Sequence, residues 1–433
     1  MNTTPPQPPH PSQADRRRLL RGLLAGLGGA SVFGRASAAP ARGRVVVVGG
    51  GFAGAYCARQ LRLLAPSLAV TLIEPRGSFM TGPLSNGWLV DAMTESSLVR
   101  SAWPLAAQGV QVERQAAVEL DPVRRRVRTA DGRWHTADWL VLAPGISLRW
   151  GAIEGLDART TDAMPHAWLG DHQAALLRQR LQAVPDGATV VVVAPQNPYR
   201  CPPGPYERAT LFANWLARNR RGCKLLLLDA KDDFPNRSNF QLVWDTRTPG
   251  MVEWVPRAAG GEVLSVDASG RRLRLARGDT VDCDLASVIP LQAAGELARA
   301  GGVADVDGWC PVDLRRFESK LHPGVFVIGD SAAAMPMPKA AFGAVAHAGI
   351  CAAAIAADAA GRPSASEQDV AVGCYSLMAA DDALRIMRLY RVQGGRYVQV
   401  SETTSGGADN TATAVAQEAR AAQAGLLQMA FGS

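Results

Sequence analysis

The 433-residue chain is poor in the residues that metal and haem centres require. Its six histidines are scattered, and no group of His, Cys, Asp or Glu has metal-ligand spacing, which argues against a metal site. No Cys-x-x-Cys-His run occurs, which excludes a covalent c-type haem on this chain. Lysines and arginines form no stripe interleaved with aromatics, so nucleic acid is not an expected partner. Beyond the N-terminal region no segment reads as long and apolar enough to span a bilayer, which takes ~20 residues. Glycine is scarce in one informative place. The valine run Ala188–Ala194 reads as a buried parallel strand, and the turn after it holds Arg200-Cys201-Pro-Pro-Gly-Pro-Tyr-Glu-Arg208. In a chain that binds two dinucleotides this turn would be rich in glycine, so that backbone can approach a pyrophosphate. The helix expected over Ala209–Leu216 follows prolines, one thiol and one carboxylate instead, and NAD(P)H is not an expected substrate.

The composition is that of a globular protein, 47% hydrophobic and 20% charged, and the length allows two or three domains. The formal charge is +7, but the first 38 residues hold five arginines against one aspartate, leaving +3 on the remainder. Arg16-Arg17-Arg18 and Arg21 precede an apolar stretch from Leu23 to Phe33, and Ala36-Ser37-Ala38 offers a small-residue cleavage site. Residues 1–38 thus read as a signal peptide, and the paired arginines favour the twin-arginine route to the periplasm. A short membrane anchor is the weaker alternative. Seven cysteines follow, and an odd number in an oxidising compartment leaves at least one thiol unpaired or intermolecular. Cys57, Cys223, Cys283 and Cys351 lie in apolar patterns, where a free cysteine serves as a small buried hydrophobe.

Arg44–Val48 is a short β-branched run, hence a buried strand. It feeds Gly49-Gly50-Gly51-Phe52-Ala53-Gly54, in which Gly49, Gly51 and Gly54 fit the dinucleotide frame and Phe52 and Ala53 open an Ala-rich helix. A second strand, Ala69–Ile73, ends in Glu74, placed to accept hydrogen bonds from ribose hydroxyls. The acid disfavours a 2′-phosphate without separating NAD from FAD. Trp139–Leu142 running into Ala143-Pro144-Gly145, and Val325–Ile328 ending in Gly329-Asp330, resemble the further motifs of two-domain flavoprotein disulfide-reductase-like enzymes. That resemblance implies FAD, with Asp330 on its ribitol hydroxyls; a simple strand-ending turn is the alternative for Asp330.

Leu84-Ser85-Asn86, Pro165–Trp168, Cys201–Ala209, Gly308–Asp313, Pro336–Lys339 and Cys374-Tyr375-Ser376 together resemble the flavoprotein subunit of flavocytochrome c sulfide dehydrogenase. The resemblance runs from the nucleotide frame to the end of the chain. It implies a periplasmic enzyme that oxidises sulfide through a redox disulfide and FAD and passes electrons to a c-type cytochrome subunit. Cys201 matches one cysteine of that disulfide, Glu207 a proton-accepting carboxylate, and Lys339 a position near the flavin's pyrimidine end. A carboxylate that merely satisfies the helix dipole is the alternative for Glu207.

Two positions depart from the family. Ala332 stands where the second redox cysteine falls, and Gly82 where a cysteine binds FAD covalently. The expectation is therefore non-covalent FAD and a Cys201 without its usual partner; replacement by Cys351, on the helix beyond Lys339, is the weaker alternative. Three readings follow: a sulfur-compound oxidoreductase with altered thiol chemistry, an FAD oxidoreductase acting on another small donor with Cys201 structural, and a non-catalytic flavoprotein partner in a sulfur-oxidation complex.

The expected fold is α/β: two Rossmann-like dinucleotide-binding domains plus a smaller C-terminal α+β domain. An FAD-binding domain is expected over 39–165 and 294–360, a second Rossmann-like domain without a nucleotide loop over 166–293, and a C-terminal domain over 367–433. Residues 361–367 read as a linker and Thr403–Ala412 as a loop.

Overall fold

The computed structural model describes residues 43–267, 271–363 and 369–432. The predicted signal peptide lies outside them, as does most of the predicted linker.

In chain order, the elements that build the site begin with β1 (Arg44–Val48), α1 (Phe52–Leu64), β2 (Ala69–Ile73), α2 (Ser85–Trp88), β3 (Gln111–Glu113), β4 (Trp139–Leu142) and β5 (Ile146–Leu148). Then come β6 (Thr189–Ala194), α3 (Gly204–Asn219), β7 (Lys224–Asp229), β8 (Val252–Val255), β9 (Leu285–Val288) and β10 (Gln292–Ala294). The last are β11 (Val312–Asp313), β12 (Glu318–Ser319), β13 (Val325–Val327), α4 (Ala341–Ala359), β14 (Val370–Leu377), β15 (Ala383–Gln393), β16 (Arg396–Gly406) and α5 (Ala412–Phe431).

One sheet has the order β11-β12-β13-β4-β1-β2-β3 and a second has β8-β7-β6-β9. The valine runs predict both centres. Val45 and Val47 of β1 are wholly buried, and burying a side chain of this size contributes about 1.5–3 kcal/mol. In β6, Val190 and Val192 join one hydrophobic cluster while Val191 and Val193 join another, so both faces of this strand are covered. β1 pairs in parallel with β2 and β4, and β6 with β7 and β9. Loops following parallel strands meet at the strands' C-terminal edges, which is where doubly wound sheets bind ligands.

The crossing between the two halves falls earlier than expected. β5 pairs antiparallel with β10, and Ile153, Leu156 and Met164 then pack with Val191, Val193 and Ala286 of the second sheet. Residues Ile153 to Met164 therefore pack with the second half rather than the first.

α4 also corrects an expectation. Among the described residues it is one helix long and apolar enough to cross a membrane by length and composition, and 56% of it is buried inside the protein. Its small residues Ala348, Cys351 and Ala352 are buried, as are Ala55, Cys57 and Ala58 of the neighbouring α1. The C-terminal part is an antiparallel meander, β14-β15-β16, backed by α5. Residues 403–406, expected in a loop, complete β16, whose exposed side chains need no apolar pattern.

Candidate active site

The turn after β1 shows why its glycines are where they are. Gly49 has φ +100°, and a Cβ there would lie 2.3 Å from the Ala143 carbonyl oxygen. A Cβ on Gly54 would lie 1.8 Å from the Gly49 carbonyl oxygen. Gly51 is different: it caps the N-terminus of α1 and a Cβ would meet nothing within 4 Å. That open space in front of a helix N-terminus suits a phosphate. Gly49, Gly51, Phe52 and Ala53 line a cavity of about 440 Å³. Ala143, Pro144 and Gly145 from the end of β4, and Gly329 and Asp330 from the end of β13, line the same cavity. Gly54 stands behind the wall.

Glu74 does something other than expected. It is 1% exposed, and its carboxylate accepts hydrogen bonds from Gly50 N (2.8 Å), Arg76 N (2.9 Å), Arg76 Nε (2.9 Å) and Arg76 Nη2 (3.0 Å). Four donors match the roughly four lone-pair directions a carboxylate offers, so Glu74 braces the glycine turn and Arg76 instead of presenting a free ribose acceptor. Burial pushes its carboxyl up, and the Arg76 hydrogen bonds and charge overcome this to hold it below the usual range. Arg76 itself lines the cavity.

Cys201 lines the same cavity. Its backbone is left-handed, φ +58°, which a non-glycine residue adopts only under tertiary constraint. Two hydrogen bonds supply it: Cys201 N to Lys339 O at 2.8 Å and Gly204 N to Cys201 O at 2.8 Å. Gly204 has no room for a side chain, since a Cβ would lie 2.6 Å from the Trp168 ring and 3.1 Å from Cys201 Sγ. The thiol is partly exposed to the cavity. Burial, and then the Glu207 charge, push it well above the usual thiol range.

Glu207, in the first turn of α3, lies just behind the wall and is 4% exposed. Its Oε1 accepts from Leu377 N at 2.7 Å and its Oε2 from Asn86 Nδ2 at 2.9 Å. Burial pushes its carboxyl up to about 7 against the pull of these two bonds and of Arg208. A helix-dipole role alone would leave it solvated; here it joins three separate parts of the chain. Arg208 is 1% exposed and donates to Asn86 Oδ1 (3.1 Å), His166 O (2.6 Å), Ser287 Oγ (2.7 Å) and Ala167 O (2.9 Å). Its guanidinium lies 5.0 Å from the centre of the Trp168 ring, and it reaches the cavity wall beside Asn86. Burial brings it down to about 9.

Lys339 is turned away from the cavity. Its ammonium donates to Asp330 O (2.7 Å) and Ala332 O (3.0 Å) and sits 3.7 Å from the centre of the Trp309 ring. It therefore braces the Gly329–Ala332 turn, while Ala341, Phe342 and Ala344 of α4 line the cavity. Ala332 is 1% exposed, and its backbone pairs in parallel with that of Cys310. Gly82 is in the wall, and a Cβ there would meet nothing within 4 Å.

Arg208, Asn86, Trp168 and Cys374 were not expected to have roles of their own, and all four reach the cavity. Each lies inside a run that carries the family resemblance, which was the signal available. Trp168 Nε1 is a buried donor without a partner among the described residues.

Beyond β6 and β7, side chains fill the region where a second dinucleotide would meet the sheet. Asp229, ending β7, is wholly buried and accepts from Tyr206 Oη (2.7 Å), Lys231 Nζ (2.6 Å) and Trp254 Nε1 (3.1 Å). Tyr206 stacks on Phe234 at 3.6 Å, and Tyr199 is 1% exposed beneath the Lys231 ammonium.

Two Rossmann-like sheets with a glycine cradle in one, and a thiol meeting it across a single cavity, define a flavoprotein of the disulfide-oxidoreductase type. Residues 43–193 match the pyridine nucleotide-disulphide oxidoreductases, and residues 174–290 match the central region of the sulfide dehydrogenase [flavocytochrome c] flavoprotein chain. The mouse mitochondrial sulfide:quinone oxidoreductase is 22% identical over 325 residues, 71% of this chain and 69% of that protein. The sulfide dehydrogenase [flavocytochrome c] flavoprotein chain of Chlorobaculum thiosulfatiphilum is 63% identical over 43 residues, 10% of this chain and 90% of that sequence. The structure of the sulfide:quinone oxidoreductase from Aquifex aeolicus superimposes with a TM-score of 0.72 at 20% identity, covering 90% of this chain and 92% of the other. The chain is thus similar in sequence to flavoprotein sulfide oxidoreductases over parts of its length, and its fold is that of the two-domain Rossmann-like flavoproteins.

Proposed function

We propose that the protein is a periplasmic FAD-dependent oxidoreductase that oxidises sulfide or a related sulfur compound at Cys201 and passes electrons to a separate c-type cytochrome. One observation carries this: the Gly49–Gly54 cradle and the Cys201 thiol line one cavity. The residues present fit FAD. Open space at Gly51 and the α1 N-terminus suit the pyrophosphate, Asp330 faces the cavity where ribitol hydroxyls would need an acceptor, and Trp168 Nε1 is a buried donor in search of a partner. Gly82 supports non-covalent attachment. Bound FAD supplies the two-electron acceptor for sulfur chemistry at the thiol.

The protein's own residues manage the proton. The Glu207 charge disfavours a Cys201 thiolate, so by reciprocity loss of the thiol proton raises the proton affinity of Glu207. A carboxyl poised at about 7 takes up that proton near neutral pH. Arg208 holds Asn86, and Asn86 holds Glu207, which fixes the position of the carboxylate. The aromatic filling around Asp229 supports the reading that NAD(P)H does not donate electrons here. The paired arginines at Arg16–Arg18 support export through the twin-arginine route.

Similarity to sulfide:quinone oxidoreductases favours a second reading, in which a quinone takes the electrons. The test is an anaerobic sulfide titration of the FAD-loaded full chain, followed by c-type cytochrome or short-chain quinone. Bleaching of the flavin band and cytochrome reduction are expected. Transfer to quinone alone selects the second reading, and no bleaching by sulfide refutes both. Bleaching by NADH refutes the exclusion of nicotinamide.

A further inference from the structure

Seven cysteines are present, and Cys57, Cys223, Cys283, Cys310 and Cys351 are buried away from the cavity. Cys201 and Cys374 are the two with partial exposure, and both line the cavity. They reach it from distant parts of the chain, Cys201 from the loop before α3 and Cys374 from β14. The two are held in relation to each other by Glu207, which stands on α3 and accepts a hydrogen bond from Leu377 N, three residues beyond Cys374 on the same strand. The Glu207 charge acts on both thiols, and Cys374 acts on Cys201. Burial, opposed by Arg388 and reinforced by Glu207, pushes Cys374 up to about 11. Two thiols held protonated in one wall are poor nucleophiles as they stand, so a bridge forms only once one of them has given up its proton and attacks as the thiolate.

We infer that Cys374 is the redox partner of Cys201, forming with it a cavity-wall disulfide in the oxidised protein and taking the part that Ala332 cannot. The bridge requires Cα atoms within roughly 4.4–6.8 Å. Its formation removes two electrons and two protons from the thiols. An added low-molecular-weight disulfide accepts both, breaking its own S–S bond and leaving as two thiols. In turnover, hydrosulfide attacks the bridge. A new S–S bond forms between the incoming sulfur and one cysteine, the Cys201–Cys374 bond breaks, and its electron pair leaves on the other cysteine as a thiolate. The sulfide sulfur is oxidised to the persulfide level and the bridge is reduced, which leaves the two electrons on the cysteine pair for FAD. Cys374 is on this account a catalytic residue, and the inference rests on the sulfide oxidoreductase reading above for its role in turnover.

The test uses the FAD-loaded full chain. It is treated with oxidised glutathione, its remaining thiols are blocked with N-ethylmaleimide, and it is digested without reduction for mass spectrometry. A cross-linked peptide joining Cys201 to Cys374 is expected, lost on reduction. Blocked Cys201 and Cys374 after oxidation, or a bridge from Cys201 to any other cysteine, overturns the inference. Cys374→Ser should then keep its FAD spectrum and lose sulfide-dependent flavin reduction; retention of the wild-type rate also overturns it. The underlying reading fails separately: if sulfide does not bleach the wild-type flavin, the function is wrong, whatever the peptide map shows.

Discussion

Replacing Glu207 by Gln removes one buried charge and tests the electrostatics of the whole thiol region. In the wild-type protein burial lifts this carboxyl from its ordinary value of 4.5 to about 7, a difference of about 3 kcal/mol. The sign follows from where the proton is held. Below about pH 4.5 the group is neutral folded and unfolded, and costs nothing. Between 4.5 and 7 the folded protein holds a proton the unfolded chain has released, so stability falls as pH rises, and it levels off above about 7. Glu207→Gln is neutral throughout and lacks this slope. Its side-chain amide cannot accept from Asn86 Nδ2 where Oε2 did, and that lost hydrogen bond costs about 1 kcal/mol at every pH. The variant should therefore be slightly less stable than wild type near pH 4.5 and more stable by about 2 kcal/mol near pH 8. Urea unfolding across this range, followed by tryptophan fluorescence, measures the difference. The same substitution removes the charge that raises Cys201, so alkylation of Cys201 by iodoacetamide should accelerate at fixed pH. A pH-independent stability difference, together with unchanged or slower alkylation, would refute the argument.

Gly204→Ala should destabilise the protein by about 1–3 kcal/mol and displace Cys201, because its methyl would overlap the Trp168 ring; denaturant unfolding reads the first and thiol reactivity the second. Asp229→Ala leaves the Lys231 ammonium buried without its counter-charge and should cost about 3–5 kcal/mol, seen as a lower melting temperature with little change in FAD content. Gly82→Cys has open space for its side chain, so the fold and the FAD content should be unchanged; flavin remaining with acid-precipitated protein would show that the added thiol reaches it. Glu74→Gln should loosen Arg76 and the glycine turn, weakening FAD retention on dilution.

The central strands were legible because valine runs and glycine spacing obey local rules: β-branched residues favour buried parallel strands, and Gly49 and Gly54 are demanded by close backbone contacts. The thiol loop was legible for what it lacks. Side-chain direction was not. Glu74 sits where a ribose acceptor is expected, yet its partner Arg76 is decided by the conformation of a three-residue turn. Lys339 follows the Gly-Asp turn as expected, but whether its ammonium faces the cavity or the turn depends on Trp309, thirty residues earlier. Cys374 belongs to a strand whose own pattern says nothing of the cavity; its place there depends on long-range packing, of which the Glu207–Leu377 bond is one part. Likewise the crossing at β5 and β10 was hidden because residues 153–164 are ordinary in composition and choose their half of the molecule by packing.

The filled region around Asp229 has a kinetic consequence. Tyr199, Tyr206, Phe234 and Trp254 occupy the region around Asp229, which is the ground for the proposal that no nicotinamide hands electrons to the flavin. On the proposed function, reducing equivalents then enter and leave through one flavin. Donor and final acceptor then take turns, the first product departing before the second half of the cycle begins. Steady-state plots at several fixed acceptor concentrations should accordingly be parallel lines, with each substrate inhibiting at high concentration by competing for the form that belongs to the other.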